Sequence, residues 1–189
     1  MVTPTALLHG YLLALAAERG LELVLSERNA RAALAGGGVE AGRGHYLAMV
    51  AVHAAFLAAC AVEPVLWPRP WPLAASLGAL AAALLAMALR WWAVATLGPR
   101  WSTRVVVLPG APPVTGGPYR WLRHPNYLAV TVELLAVPLM AGALWTAACF
   151  ALANAALLAV RIRSEEQALG DGWARAFDSR PRLVPGRRR

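Results

Sequence analysis

Apolar residues divide the chain into five segments, separated by polar stretches or by stretches rich in glycine and proline. This pattern predicts helices over residues 3–26, 46–66, 73–95, 126–140 and 143–163. Most of these segments approach the roughly 20 apolar residues that a membrane-spanning helix needs. The fourth is shorter, so we expect the last two to form a tight helical hairpin that turns between Pro138 and Gly142. The pattern predicts an all-α integral membrane protein with about five transmembrane helices.

The two longest connections differ in composition. Residues 27–45 are polar and carry three consecutive glycines at 36–38, which break a helix, so we expect a flexible loop. Residues 98–124 contain a β-branched run at 105–108 that favours an extended strand, followed by a turn rich in proline and glycine.

We expect one structural domain. Residues 1–97 supply three transmembrane helices, and residues 98–189 supply the hairpin and a polar C-terminal segment. In that segment, over residues 164–189, Trp173 and Phe177 are four residues apart and are expected to rest on the bilayer surface.

The composition supports a membrane location. The chain has 189 residues, of which 59% are hydrophobic and 15% charged, and its net charge of +8 comes from arginine alone. Fifteen of the 18 basic residues fall on one side of the predicted membrane, and only Arg69 falls on the other. The positive-inside rule therefore predicts a cytoplasmic C-terminus. Topology accounts for the charge, so we expect no nucleic-acid partner, and the basic tail at 187–189 is expected to lie near anionic lipid headgroups.

Several common sites are not predicted. Cys60 and Cys149 lie in apolar runs without metal-ligand spacing, which indicates small buried side chains and no metal. A dinucleotide-binding fingerprint after a strand is also missing, which argues against a Rossmann methyltransferase.

Candidate chemistry is concentrated in residues 117–127, a polar and cationic stretch between apolar segments. Pro125 disfavours the α conformation at His124, and Pro125 with Asn126 should open a helix whose free N–H groups can meet an anion. Farther along, Arg161 and Glu165 share one helix face. They form either a simple ion pair at a helix end or part of a binding site.

Acidic residues within the apolar segments leave alternatives open. Glu18 and Glu22 belong either to an ion pair at a helix end or to the wall of a reaction cavity. Glu133 is predicted either to pair with Arg90 or His53, or to accept a proton from a hydroxyl acceptor.

The sequence G-P-Y-R-W-L-R-H-P-N-Y at 117–127 resembles the signature of the isoprenylcysteine carboxyl methyltransferase family, and R-I-R-S-E-E at 161–166 fits the same family. These are integral membrane enzymes that use S-adenosylmethionine. The resemblance implies that Arg161 contacts an acceptor carboxylate. It also implies a cofactor pocket formed by Val114, Tyr119, His124, Pro125, Asn126, Tyr127 and Glu165.

The N-terminal half, with E-L-V-L-S-E-R-N and G-G-G-V-E-A-G-R-G-H-Y, is similar to a bacterial branch associated with O-methylation of alkylpyrones and alkylresorcinols. We therefore expect an S-adenosylmethionine-dependent O-methyltransferase in a bacterial inner membrane, with its site facing the cytoplasm. Its acceptor is expected to be a lipophilic molecule from the bilayer, with a long-chain polyketide-type hydroxyl or an isoprenylcysteine-type carboxylate. The predicted catalytic residues are Arg161, Glu165 and Glu133. The alternatives are a non-catalytic anion-binding membrane module or transporter, and a reductase-like enzyme that shares the R-H-P element.

Overall fold

Five long helices form the body of the protein in a computed structural model that describes residues 3–183. They are α1 (Pro4–Ala35), α2 (Arg43–Leu66), α3 (Leu73–Leu97), α4 (Pro125–Leu139) and α5 (Leu144–Ala176). Two short strands, β1 (Val39–Ala41) and β2 (Val105–Val107), pair in antiparallel fashion, and 3-10 turns lie at Gly98–Arg100 and Gly117–Arg120. The predicted all-α membrane architecture is confirmed. The basic tail at 187–189 lies outside the described residues.

Three of the helices are long and apolar enough to cross a membrane, namely α2, α3 with the turn that follows it, and α5. Helix α4 is apolar but shorter. Helix α1 does not meet the same criterion, because Glu18, Arg19 and Glu22 interrupt its apolar sequence. The count of five spans therefore stays a prediction.

Helix α1 ends at Ala35, nine residues beyond its predicted end, so the polar loop predicted from residue 27 was wrong over 27–35. This part contains mostly alanine, arginine and other good helix formers, and no breaker before Gly36. Glu27 and Arg31 also form an ion pair of 2.7 Å one turn apart. Polarity in this stretch marks a helix with one exposed face, which carries Arg28 and Arg31, rather than a loop.

The rest of the connection between α1 and α2 pairs with the long loop between α3 and α4. Strand β1 pairs with β2, with Glu40 opposite Val106, which confirms the extended run predicted there. Arg104 Nε donates to Glu40 at 2.6 Å, and Arg43 Nε donates to the same carboxylate at 2.6 Å. These hydrogen bonds, that of Arg104 first, lower the pKa of Glu40 to about 2. Glu40 therefore helps to hold the two paired strands together through its contacts with Arg104 and Arg43.

A buried carboxylate on α2 fixes the start of α5. Glu63 accepts hydrogen bonds from the Thr146 backbone N–H (2.7 Å), the Thr146 hydroxyl (2.7 Å) and Arg69 (2.9 Å). The free N–H groups and the dipole of a helix N-terminus favour such an acceptor. Farther along both helices, Phe56 and Phe150 meet edge to face at 5.6 Å between ring centroids. Helices α2 and α5 therefore run antiparallel along their length.

The predicted hairpin of α4 and α5 is present, and its turn depends on Gly142. This residue has a φ of 66°, and a Cβ added there would lie 2.7 Å from the Trp71 ring. Helix α5 continues to Ala176, past the predicted end at 163, with a kink at Gly170, whose φ is 73°.

The kink accounts for a wrong prediction at the end of α5. Phe177 is fully buried, and its ring stacks on Trp173 at 4.7 Å, in a cluster with Tyr119. Phe177 therefore packs inside the protein and does not rest on the bilayer surface, whereas Trp173 is half-buried against it. Gly170 turns the last part of the helix back over the loop that precedes α4, a bend that hydrophobic periodicity alone does not indicate.

Candidate active site

A cavity of about 910 Å³ lies between the helices, and each of the five contributes to its wall. The loop at 101–114 lines a further part of it. Apolar side chains such as Met49, Leu57 and Leu158 line it together with charged ones. A cavity of this size and mixed lining is typical of small-molecule sites.

The loop that precedes α4 supplies an aromatic and polar part of the wall. His124 is the N-cap of α4, with φ −130° and ψ 64°, and Pro125 is the first helical residue, as the sequence predicted. The His124 ring is buried and stacks on the Tyr127 ring at 5.2 Å and against Trp173 at 5.6 Å. Gly117 permits the close approach of α3, since a Cβ there would overlap Thr96.

Tyr127 connects Arg161 with Glu165. Arg161 Nε donates to the Tyr127 hydroxyl at 2.8 Å, and that hydroxyl donates to Glu165 Oε2. Arg161 Nη2 donates to the backbone carbonyl of Thr103 at 2.6 Å. Arg161 is only 6% exposed. Within residues 3–183 no ion pair joins Arg161 directly to Glu165, so the arrangement is a buried three-residue network rather than a helix-end ion pair.

The phenol of Tyr119 remains neutral beside this network. Burial raises its pKa, and the nearby Glu165 carboxylate raises it further. Tyr119 therefore offers a hydroxyl and an aromatic face to the cavity.

A segment at 178–183, here called the C-terminal strap, closes over the same loop. The backbone N–H groups of Arg123 and His124 donate to the carbonyls of Pro181 (2.9 Å) and Arg182 (3.0 Å). Arg182 Nε donates to Glu166 at 2.9 Å, and the same carboxylate lies 3.1 Å from His124 Nε2. The hydrogen bond to Glu166, together with the charge of that carboxylate, raises the pKa of Arg182. Sequence reasoning did not assign Glu166 or Arg182 to the site, although R-I-R-S-E-E contains the former.

Glu133 lies in a buried charge cluster. Arg90 Nη2 donates to Glu133 at 2.6 Å, and Arg19 Nη2 donates to its other oxygen at 2.7 Å. Pairing with Arg90 was one of the two predicted roles, and the structure shows that pair. Arg19 also pairs with Glu22, and Arg90 Nη1 lies 3.5 Å from Asn126 Oδ1. Glu22 therefore forms an ion pair and also lines the cavity, but it lies within α1 and not at a helix end as the first alternative had it.

Most of the predicted site residues meet in this one cavity. The members that line it are Val114, Tyr119, His124, Asn126, Tyr127, Arg161 and Glu165. Pro125 is fully buried behind the wall, and Glu133 is 5% exposed and does not belong to the described lining. In residues 3–183 no group of three His, Cys, Asp or Glu side chains is placed to hold a metal ion.

Comparison with known proteins gives three matches. The sequence model of the isoprenylcysteine carboxyl methyltransferase (ICMT) family matches residues 79–171. A Bacillus subtilis (strain 168) protein named "Uncharacterized protein YpbQ" is 36% identical over 152 residues, which cover 80% of this chain and 90% of the relative. An uncharacterized protein of Haemophilus influenzae is 28% identical over 152 residues, covering 80% of this chain and 88% of the relative. The range matched by the family model includes both the 117–127 and the 161–166 motifs.

Proposed function

The chain belongs to the isoprenylcysteine carboxyl methyltransferase family, and on that premise we propose that it is a membrane enzyme that transfers the methyl group of S-adenosylmethionine to an oxygen of a lipophilic acceptor. The observation that carries this proposal is the convergence of Arg161, Tyr127 and Glu165 with the His124 loop on one cavity. Family membership supports the methyltransferase activity in general. The donor and the acceptor class are our proposal.

The donor set of the cavity fits S-adenosylmethionine. His124, Tyr127 and Trp173 offer aromatic faces to an adenine ring, and Glu165 offers a carboxylate to an ammonium group. The N-terminus of α4, at Asn126, is suited to a carboxylate. When bound, this cofactor supplies an electrophilic methyl group on a sulfonium centre. The residues named here are the ones that we propose hold it.

Arg161 is the residue that we propose orients the acceptor. Its Nε and Nη2 are engaged by Tyr127 and Thr103, and Nη1 has no hydrogen-bond partner among residues 3–183. The guanidinium is therefore held in a fixed plane with one nitrogen free to donate to an anionic oxygen. A buried and fixed cation keeps an acceptor oxygen in position without reorganisation during the reaction.

The remaining wall suits a lipophilic acceptor. Met49, Val50, Ala54 and Leu57 extend the cavity along α2, a helix apolar enough to cross a membrane. Both oxygens of Glu133 accept hydrogen bonds from arginines, so we propose that Glu133 holds Arg90 beside Asn126 and does not act as the proton acceptor. A carboxylate acceptor is already anionic, whereas a hydroxyl acceptor must lose its proton. Glu165 is the carboxylate that Tyr127 links to Arg161.

Isothermal titration of the purified protein with S-adenosylhomocysteine, the demethylated cofactor, tests this function. We expect saturable binding that is weakened in the His124→Ala variant. Binding of a nicotinamide dinucleotide instead would favour the reductase-like alternative. Binding of neither, by a protein that remains folded, would favour the non-catalytic anion-binding module.

A further inference from the structure

Two polar side chains of the membrane-spanning helices line the cavity outside the network around Arg161. They are His53 on α2 and Asn154 on α5. A polar side chain within a membrane span is costly unless it is hydrogen-bonded or serves a function.

Asn154 is only 3% exposed, yet its carboxamide makes no hydrogen bond to any residue of the described part of the chain. The amide offers two N–H donors and one carbonyl acceptor. Buried polar groups are nearly always hydrogen-bonded, so the amide on the cavity wall is available to bond a molecule that occupies the cavity.

His53 has one ring nitrogen committed and the other free. Nδ1 lies 2.8 Å from the carbonyl oxygen of Met49 on its own helix. A carbonyl only accepts, so Nδ1 carries the hydrogen, and in the neutral ring Nε2 is left as an acceptor. Nε2 has no partner within residues 3–183. The hydrogen bond of His53 therefore lies within α2.

The packing of α2 against α5 places these two side chains at the same depth. Glu63 contacts Thr146, and Phe56 contacts Phe150, so the antiparallel helices bring residue 53 opposite residue 154. Asn154 precedes Arg161 by two helical turns on the same face, which separates them by roughly 10 Å along the axis. The pair therefore lies farther from the loop before α4 than Arg161 does.

We propose that His53 and Asn154 form a second hydrogen-bonding subsite for the methyl acceptor. This rests on the proposed function, and it names the acceptor class. The acceptor is an amphiphile with its reacting oxygen at Arg161 and a hydroxyl or carbonyl group within its chain, roughly 10 Å deeper. A hydroxyl is complementary to both groups, because it accepts from the Asn154 amide and donates to His53 Nε2. A plain hydrocarbon chain, such as a prenyl or alkyl chain, leaves both groups desolvated and unpaired.

Binding of stearate, compared with stearate hydroxylated in mid-chain, tests the subsite. The two probes share a carboxylate for Arg161 and differ in one hydroxyl. Scintillation proximity in detergent measures only protein-bound ligand. We expect wild-type protein to bind the hydroxylated probe about tenfold more tightly, the scale of one or two net hydrogen bonds. Asn154→Leu, which is close in volume, should abolish this preference, and so should His53→Phe.

Leu157→Ala is the matched control, because Leu157 lines the same wall without a polar group. It should weaken the binding of both probes equally and leave the preference for the hydroxylated probe intact.

Equal binding of the two probes by the wild type would overturn the subsite, and so would a preference that persists in both Asn154→Leu and His53→Phe. Titration of the same preparations with S-adenosylhomocysteine separates this outcome from failure of the proposed function. If the wild type shows no preference but binds S-adenosylhomocysteine, only the subsite is rejected. If the wild type shows the preference but binds no S-adenosylhomocysteine, only the methyltransferase proposal is rejected.

Discussion

Replacing Arg161 by alanine removes the side chain that connects Tyr127 with the loop before β2. Arg161 donates to the Tyr127 hydroxyl at 2.8 Å and to the Thr103 carbonyl at 2.6 Å, and it is 6% exposed. A hydrogen bond to a charged group contributes about 1.5–3 kcal/mol, so two of them far exceed the value of about 1 kcal/mol or less for a surface ion pair. The loss of Arg161 therefore removes contacts that position Tyr127 and the loop at Thr103, and its effect is not one of surface charge.

We expect the Arg161→Ala variant to lose turnover by about two orders of magnitude or more, the scale for removing a positioned electrostatic contact. Arg161→Lys should not restore activity. Nε and Nη2 of the planar guanidinium reach two partners at once, and a single ammonium group does not reproduce that geometry.

The assay is transfer of labelled methyl from S-adenosylmethionine into a lipid extract, with the protein in nanodiscs. Arg163→Ala is the control, because Arg163 is an exposed arginine two residues farther along the same helix. It should retain nearly normal turnover. Near-normal turnover in Arg161→Ala, with the control also active, would refute the role assigned to this network.

Further predictions concern the cofactor pocket, the Glu40 pair, the turn at Gly142 and the membrane topology. His124→Ala and Tyr127→Phe should each weaken S-adenosylhomocysteine affinity in calorimetry without unfolding the protein, and unchanged affinity in both would remove them from the pocket. The pKa of Glu40 is lowered from 4.5 to about 2, so its stabilisation is present above pH 4.5 and is lost as the pH falls towards 2. The stability deficit of Glu40→Gln in thermal unfolding should therefore be present near neutral pH and shrink in acid, and a deficit that does not change with pH would contradict the pairing. Gly142→Ala should lower the melting temperature, because a Cβ meets the Trp71 ring and the φ of 66° disfavours alanine, whereas an unchanged melting temperature would contradict this account of the turn. A reporter fused to the C-terminus should be active on the cytoplasmic side, as the arginine distribution predicts, and activity only outside would reject the topology.

The sequence was sufficient to predict the helices whose boundaries have physical markers. Apolar runs bounded by glycine and proline located α2, α3 and the hairpin of α4 and α5 to within a few residues, and Pro125 marked the start of α4. The end of α1 was missed because residues 27–35 are polar and helical at once, and polarity was taken as a sign of a loop. The end of α5 was missed because a helix continues readily after leaving an apolar environment.

The sequence predicted which residues form the site better than it predicted how they contact one another. The two motifs placed His124, Tyr127, Arg161 and Glu165 together, but the bridging role of Tyr127 depends on how α4 packs on α5. The partner of Arg161 at Thr103 is a backbone carbonyl, for which no side-chain signal exists. The hydrogen bonds of the C-terminal strap depend on the kink at Gly170, and periodicity does not predict that kink.

The measurement that tests the central claim most directly is protein-dependent transfer of labelled methyl from S-adenosylmethionine to membrane-extracted lipids. Wild-type protein should place the label in a product that partitions into organic solvent. In mass spectrometry this product should be heavier than its precursor by the mass of one CH2, because a methyl group replaces a hydrogen on an oxygen. No such product should form with Arg161→Ala. If folded wild-type protein transfers no label to any lipid fraction and binds no S-adenosylhomocysteine, the cavity is not a methyl-transfer site.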